Sequence, residues 1–242
     1  MRVIGVDCAV APENTGLVIA DWDEVTLTIR STERGSDQRP PLAAILEAME
    51  PSTLLAMDAP LGWPEQFGRA LADHKAGGAV MASSDRFFRR ETDDWVAERI
   101  GKRPMDPAAD RIGRTAFAAL QLLDGVRKAG WDPGALAWSP EEARRGVYAI
   151  ETYPAGHLAL RGLPAQGYKR KEQRPVRESI LSEIQKELIL EVEREPFLED
   201  ADQLDALICA TAAVDFLKGV AAAPNNLDRA KKEGWVWLRY SS

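Results

Sequence analysis

Three short apolar runs in this chain each end in a carboxylate: Val3-Ile-Gly-Val-Asp7, Leu54-Leu-Ala-Met-Asp58 and Val147-Tyr-Ala-Ile-Glu151. Far downstream, Asp202 and Asp205 stand three residues apart beside Leu204, Leu207 and Ile208. On a helix that spacing puts both carboxylates on one face, with an apolar surface to anchor it. Ligands of open α/β sheets gather outside the carboxyl ends of strands, so residues at those ends can meet although they are far apart in sequence. Neighbouring carboxylates raise each other's pKa, a cost that a hard divalent cation between them removes. Magnesium and manganese prefer oxygen ligands, and two such ions about 4 Å apart can activate a water and stabilise a leaving oxygen in phosphodiester hydrolysis. Asp7, Asp58, Glu151 and Asp205 are therefore the candidate catalytic and metal-ligating residues, with Asp202 as an optional further ligand. Asp7, on the strand expected at the centre of the sheet, is the candidate bridging ligand.

The elements that must position these groups are legible from periodicity. Val3 to Cys8 reads as a strand buried on both faces, Leu17 to Ala20 as a second and Val25 to Arg30 as a third, together a meander. Pro40-Pro41 opens a helix over Leu42, Ile45, Leu46 and Met49, and Pro51-Ser52 ends it. A fourth strand, Thr53 to Asp58, stops at Ala59-Pro-Leu-Gly-Trp-Pro64, where proline removes ladder donors. Ala108 to Ala129 carries a helical pattern that stops at Gly130 before Asp132-Pro-Gly134, and a fifth strand runs from Val147 to Glu151. Helices follow at about Pro175 to Glu193 and Asp200 to Leu217. The terminal Trp235-Val-Trp-Leu-Arg-Tyr240 suits an edge strand or a packed tail. The expectation is a single α/β domain over residues 1–242, with a mixed five-stranded sheet and helices on both faces.

Between about residues 65 and 107 the chain turns polar and arginine-rich and loses hydrophobic periodicity, which marks an inserted lid segment. Arg86, Arg89 and Arg90 precede Thr92 there, and arginine forks suit bidentate phosphate contacts or a solvated surface equally. Lys169, Arg170 and Lys171, with Arg174 and Arg177 behind them, form the second candidate for nucleic-acid backbone contacts, the alternative being a solvated loop. His157, close behind Glu151, is either a proton carrier or structural, and His74 has no ligand-spaced neighbour. Trp63 and Trp95 offer faces for stacking, although burial is the default for tryptophan.

Composition bounds what such a site could serve. With 242 residues, 45% hydrophobic and 29% charged, the chain can bury a core without disulfides, and no apolar run approaches the ~20 residues that cross a bilayer. Its first residues read as a strand and not as a secretion signal, so the expected location is the cytoplasm. Cys8 and Cys209 form no Cys-x-x-Cys or Cys/His cluster and are expected to be buried thiols. A formal charge of −7 excludes the overall basic footprint of a protein that coats nucleic acid, so a phosphate-bearing partner must use a local basic patch.

Five motifs in this order, Gly5-Val-Asp7-Cys-Ala, Met57-Asp58-Ala-Pro-Leu-Gly-Trp-Pro64, Phe88-Arg-Arg-Glu-Thr92-Asp93, Glu151-Thr-Tyr-Pro-Ala155 and Asp202-Gln-Leu-Asp205-Ala-Leu207, resemble domain-of-unknown-function family 429. These are predicted RNase-H-like nucleases. The resemblance implies an RNase-H-like sheet with acidic residues at Asp7, Asp58, Glu151 and Asp205, an i, i+3 acidic pair like that of RuvC-type resolvases, and a nuclease activity that is itself inferred in that family. It admits two partners, a nucleic-acid substrate and a second copy of the chain. Actin-like ATPases and sugar kinases share the sheet order and are the enzymatic rival, although no glycine-rich phosphate cradle follows Asp7 directly. A nuclease fold serving as a non-catalytic binding module is the other. No base-reading motif is present.

Overall fold

Asp7 and Asp58 end adjacent parallel strands, and the sheet is built around that pair. In the computed structural model, which describes residues 1–131 and 136–240, β1 (Arg2–Asp7), β2 (Gly16–Trp22) and β3 (Leu27–Arg34) form the antiparallel meander. The third strand starts two residues later than its alternation suggests. Asp23 Oδ1 accepts hydrogen bonds from the backbone N–H groups of Val25 (3.0 Å) and Thr26 (2.7 Å), which commits those residues to the turn. After α1 (Pro41–Ala48), β4 (Thr53–Asp58) pairs parallel with β1 so that Asp58 stands opposite Asp7.

The arginine-rich segment after β4 holds α2 (Glu65–Leu71), α3 (Ser84–Phe88) and α4 (Glu91–Ile100), and α5 (Asp110–Lys128) packs against the sheet. The helix ends at Lys128 and Gly130 follows with φ +90°, the expected stop, whereas Asp132-Pro-Gly134 lies outside the described residues. Beyond α6 (Pro140–Ala143), β5 (Val147–Glu151) pairs parallel with β4, and α7 (Pro154–Leu160) follows it directly.

The expected helix over Pro175 to Glu193 is shorter than its pattern. It ends as α8 (Arg174–Ile184), and Leu188–Leu190 becomes β6, parallel to β3. Leu-Ile-Leu satisfies either period over three residues, and the open edge of β3 decides the outcome. The sheet therefore has six strands instead of five, in the order β5-β4-β1-β2-β3-β6. Its antiparallel meander, flanking parallel strands and helices on both faces match the mixed α/β layout expected from the sequence. Short α9 (Glu195–Glu199) leads into α10 (Ala201–Leu217), and α11 (Leu227–Glu233) precedes the tail. Val236 bridges Glu151, and the Trp237 N–H donates to the Glu151 carbonyl at 3.0 Å, so the tail packs beside β5.

Each face of the sheet has its own core. Ile4, Val6, Leu55 and Met57 point toward α1 and α5. Val3, Val18, Leu54 and Ile150 point toward α10, which is buried nearly all round. A Cβ on Gly5 would lie 2.0 Å from the Ala206 carbonyl oxygen, and one on Gly16 would lie 2.2 Å from that of Asp202. These two glycines let α10 rest its backbone directly on β1 and β2. That close approach carries Asp205 to the end of β1. Among the described residues, no helix is long and apolar enough to cross a membrane.

Candidate metal centre

At the carboxyl ends of β1 and β4, carboxylate oxygens of Asp7, Asp58 and Asp205 all lie within 4.8 Å of one another. Asp205 is wholly buried on an apolar helix and Asp7 is 8% exposed, so their charges have little access to water. Burial, followed by the charges of Asp205 and Asp58, pushes the Asp7 carboxyl well above the usual range. Burial likewise raises Asp58, to about 7, with Asp205 adding to the rise and Lys169 opposing it.

One cation faces the three acids. The Lys169 ammonium contacts Asp205 Oδ2, and the Tyr168 hydroxyl donates to Asp205 Oδ1 at 2.6 Å. Burial alone would disfavour the charged lysine, but Asp205, Asp7 and Asp58 outweigh it and hold the ammonium protonated. The loop carrying both residues is clamped by Arg177, which is buried and donates to the carbonyls of Tyr168 (2.7 Å), Arg170 (2.8 Å) and Leu198 (2.6 Å). Three carboxylates against one ammonium leave a local surplus of negative charge beside a cleft of about 540 Å³, which Asp7, Asp58 and Lys169 line together with Cys8, Tyr153 and Gln166, while Asp205 lies buried behind them. The triad itself is an all-oxygen donor set with unbalanced charge, which fits a hard divalent cation such as magnesium or manganese.

Glu151 is not part of this cluster. Although β5 delivers it to the same sheet edge, the buried Arg90 takes both its oxygens, at 2.7 and 2.8 Å, and the Leu61 N–H adds a third bond at 3.0 Å. Burial raises the Glu151 carboxyl and Arg90 pulls it back. Arg90 also forks onto Asp93, at 2.8 and 3.2 Å, and reaches the Glu233 carbonyl at 3.1 Å. All five of its N–H donors are thereby used, so Arg90 is a structural charge and not a phosphate ligand. Thr92 is corrected in the same way, because its buried hydroxyl accepts the Val236 N–H at 2.9 Å.

Of the other predicted contacts, Arg86 pairs with Asp94 at 3.4 Å, and Arg89 pairs with Asp85 (2.6 Å) and Asp106 (3.4 Å). Asp202 turns aside from the triad to meet Arg34 at 3.3 Å. Arg170 and Lys171 are exposed, whereas Lys169 faces the acids. His157 is buried with Nε2 3.2 Å from the Thr211 hydroxyl, and burial, Arg161 and Arg239 hold it neutral, so it is structural. Trp95 packs on Trp235 with ring centroids 4.9 Å apart. Cys209 is buried, and Cys8, partly buried, lines the cleft.

Sequence reasoning missed Tyr168 and the clamping role of Arg177. The run of basic residues hid both, because nothing in a loop's composition says which cation turns inward.

The comparison with curated proteins returned no match. Among solved structures the chain is similar to T. thermophilus RuvC in complex with a Holliday junction substrate, at 16% identity and a TM-score of 0.40, over 93% of this chain and 99% of that one. Residues 5–229 match the family described as "Protein of unknown function (DUF429)", and the chain belongs to that family.

Proposed function

We propose that this protein is a divalent-metal-dependent nuclease that hydrolyses phosphodiester bonds of nucleic acid. The observation that carries the reading is the meeting of Asp7, Asp58 and Asp205 within 4.8 Å beside a cleft that Asp7 and Asp58 line, with one ammonium among the described residues to balance them. Asp7, flanked by both other acids, would hold the cation, with Asp58 and Asp205 completing the protein's share of the ligands. A bound magnesium or manganese ion supplies Lewis-acid activation of a water and countercharge for the phosphate. Tyr168 fixes the Asp205 carboxylate through its hydrogen bond, which orients a ligand that would otherwise rotate. Lys169, whose side chain is 53% exposed, can turn from Asp205 toward an incoming phosphate once the triad is neutralised by other means.

The test is a panel of single-stranded, duplex, hybrid and branched nucleic acids incubated with magnesium or manganese, alongside calorimetry of metal binding and an ATP hydrolysis assay. The wild-type protein is expected to bind the metal and to cut, and Asp7→Asn to lose both. Metal affinity and cleavage unchanged in Asp7→Asn would remove the assignment. ATP turnover with every nucleic acid uncut would move the site to the phosphotransferase class.

A further inference from the structure

The triad cleft opens on one side into a smaller cavity of about 250 Å³. Asp58, Pro60, Met105, Ile112 and Tyr153 line both, so a group in the smaller cavity is joined to whatever lies at the acids. The cavity surface is mostly apolar, with Pro60, Pro104, Met105, Ile112 and Val236 among its lining residues. Among its lining residues, Arg90, Glu151 and Asp93 are hydrogen-bonded to one another, with every Arg90 donor used. Pockets that take whole drug-sized molecules run to about 300–1,000 Å³, so this one is sized for a single ring system. Tyr153 provides an aromatic face for it.

Lys102 and Arg103 stand at the same cavity, both exposed. Neither makes a hydrogen bond or ion pair with any described residue. That separates them from the neighbouring Arg86, Arg89 and Arg90, each of which has an acidic partner. Unpaired cations beside a planar-ring cavity match the chemistry of a nucleotide: phosphates outside, a base within.

We infer that the cavity receives one unpaired nucleobase of the strand whose phosphate lies at the triad, while Lys102 and Arg103 hold the flanking phosphates. The inference rests on the nuclease reading and narrows its substrate to single-stranded or locally unpaired nucleic acid. A base inside a duplex would first have to be extruded, at a free-energy cost that an unpaired base does not carry.

The experiment compares, by fluorescence anisotropy with calcium present, a labelled thymidine homopolymer and an abasic strand with the same number of phosphates. Wild type is expected to bind the thymidine strand roughly tenfold more tightly. Tyr153→Ala should weaken the thymidine strand to the level of the abasic one without weakening the abasic strand, and Tyr153→Phe should restore the difference. Lys102→Ala should weaken both strands alike and lower the salt slope by about one. Equal affinity of the two strands for wild type would overturn the inference. If cleavage is nevertheless seen in the parallel panel, the nuclease reading survives alone. If neither strand binds and nothing is cut, both fall. A free mononucleotide that competes as well as the strand would assign the cavity to a small molecule and overturn the strand assignment.

Discussion

Two groups of acids at the same sheet edge illustrate opposite ways of burying charge. Glu151 and Asp93 share Arg90, an arginine only 2% exposed with every donor occupied. Asp7, Asp58 and Asp205 share Lys169, half exposed and in contact with one of the three. The first group is closed: Arg90 spends every donor on its neighbours and binds both carboxylates, which ties α4 and the end of α11 to β5. The second is deficient in positive charge and faces a cleft. A strand-end carboxylate is thus not a ligand because of where it sits. It is available to a metal only where the fold withholds its counter-ion.

The contrast can be broken hardest at Arg90. Arg90→Met strands two buried carboxylates, and breaking such a network costs about 3–5 kcal/mol. Urea unfolding should register that loss, and magnesium should not rescue it. Second in size is Gly5→Ala, whose added methyl would meet the Ala206 carbonyl at 2.0 Å. Overpacking of this kind costs about 1–3 kcal/mol. Because it lifts α10 from β1, it should weaken metal affinity as well as thermal stability, whereas Arg90→Met should act mainly on stability.

The triad should also reveal itself in the pH dependence of the metal-free protein. Asp7 and Asp58 have folded pKa values above their unfolded ones, so the folded state binds more protons. Their contribution is full below about pH 4, the ordinary aspartate value, and is lost as pH rises through the folded value of Asp58, about 7. Denaturation midpoints across that window should fall with rising pH, and Asp58→Asn should flatten the slope. Saturating magnesium should flatten it too. The smallest effect sharpens the comparison. Lys169→Met removes the resident cation, and calorimetry should find divalent affinity raised by about tenfold, or ~1.4 kcal/mol. Unchanged affinity would mean that Lys169 does not compete for the site.

How much of this was legible in the chain can be argued residue by residue. β4 and β5 follow from their apolar runs, and the acids at their ends were visible as a repeated ending. Asp205 could be suspected because a carboxylate among Leu204, Leu207 and Ile208 would need a partner if buried. Glu151 carried the same sequence signal as Asp7 and went elsewhere, because its partner, Arg90, lies 61 residues away in a segment of weak periodicity. β6 was hidden for a related reason: three apolar residues take the structure that a neighbouring edge offers.

By itself the sequence determined five of the six strands, the acidic ends of three of them and the long apolar helix, because periodicity and residue type act locally. Only the tertiary structure decided which acids share a space and which cation each receives. Ion pairing depends on distances of a few ångströms between residues that the chain keeps tens or hundreds of positions apart, and at those distances burial magnifies every charge.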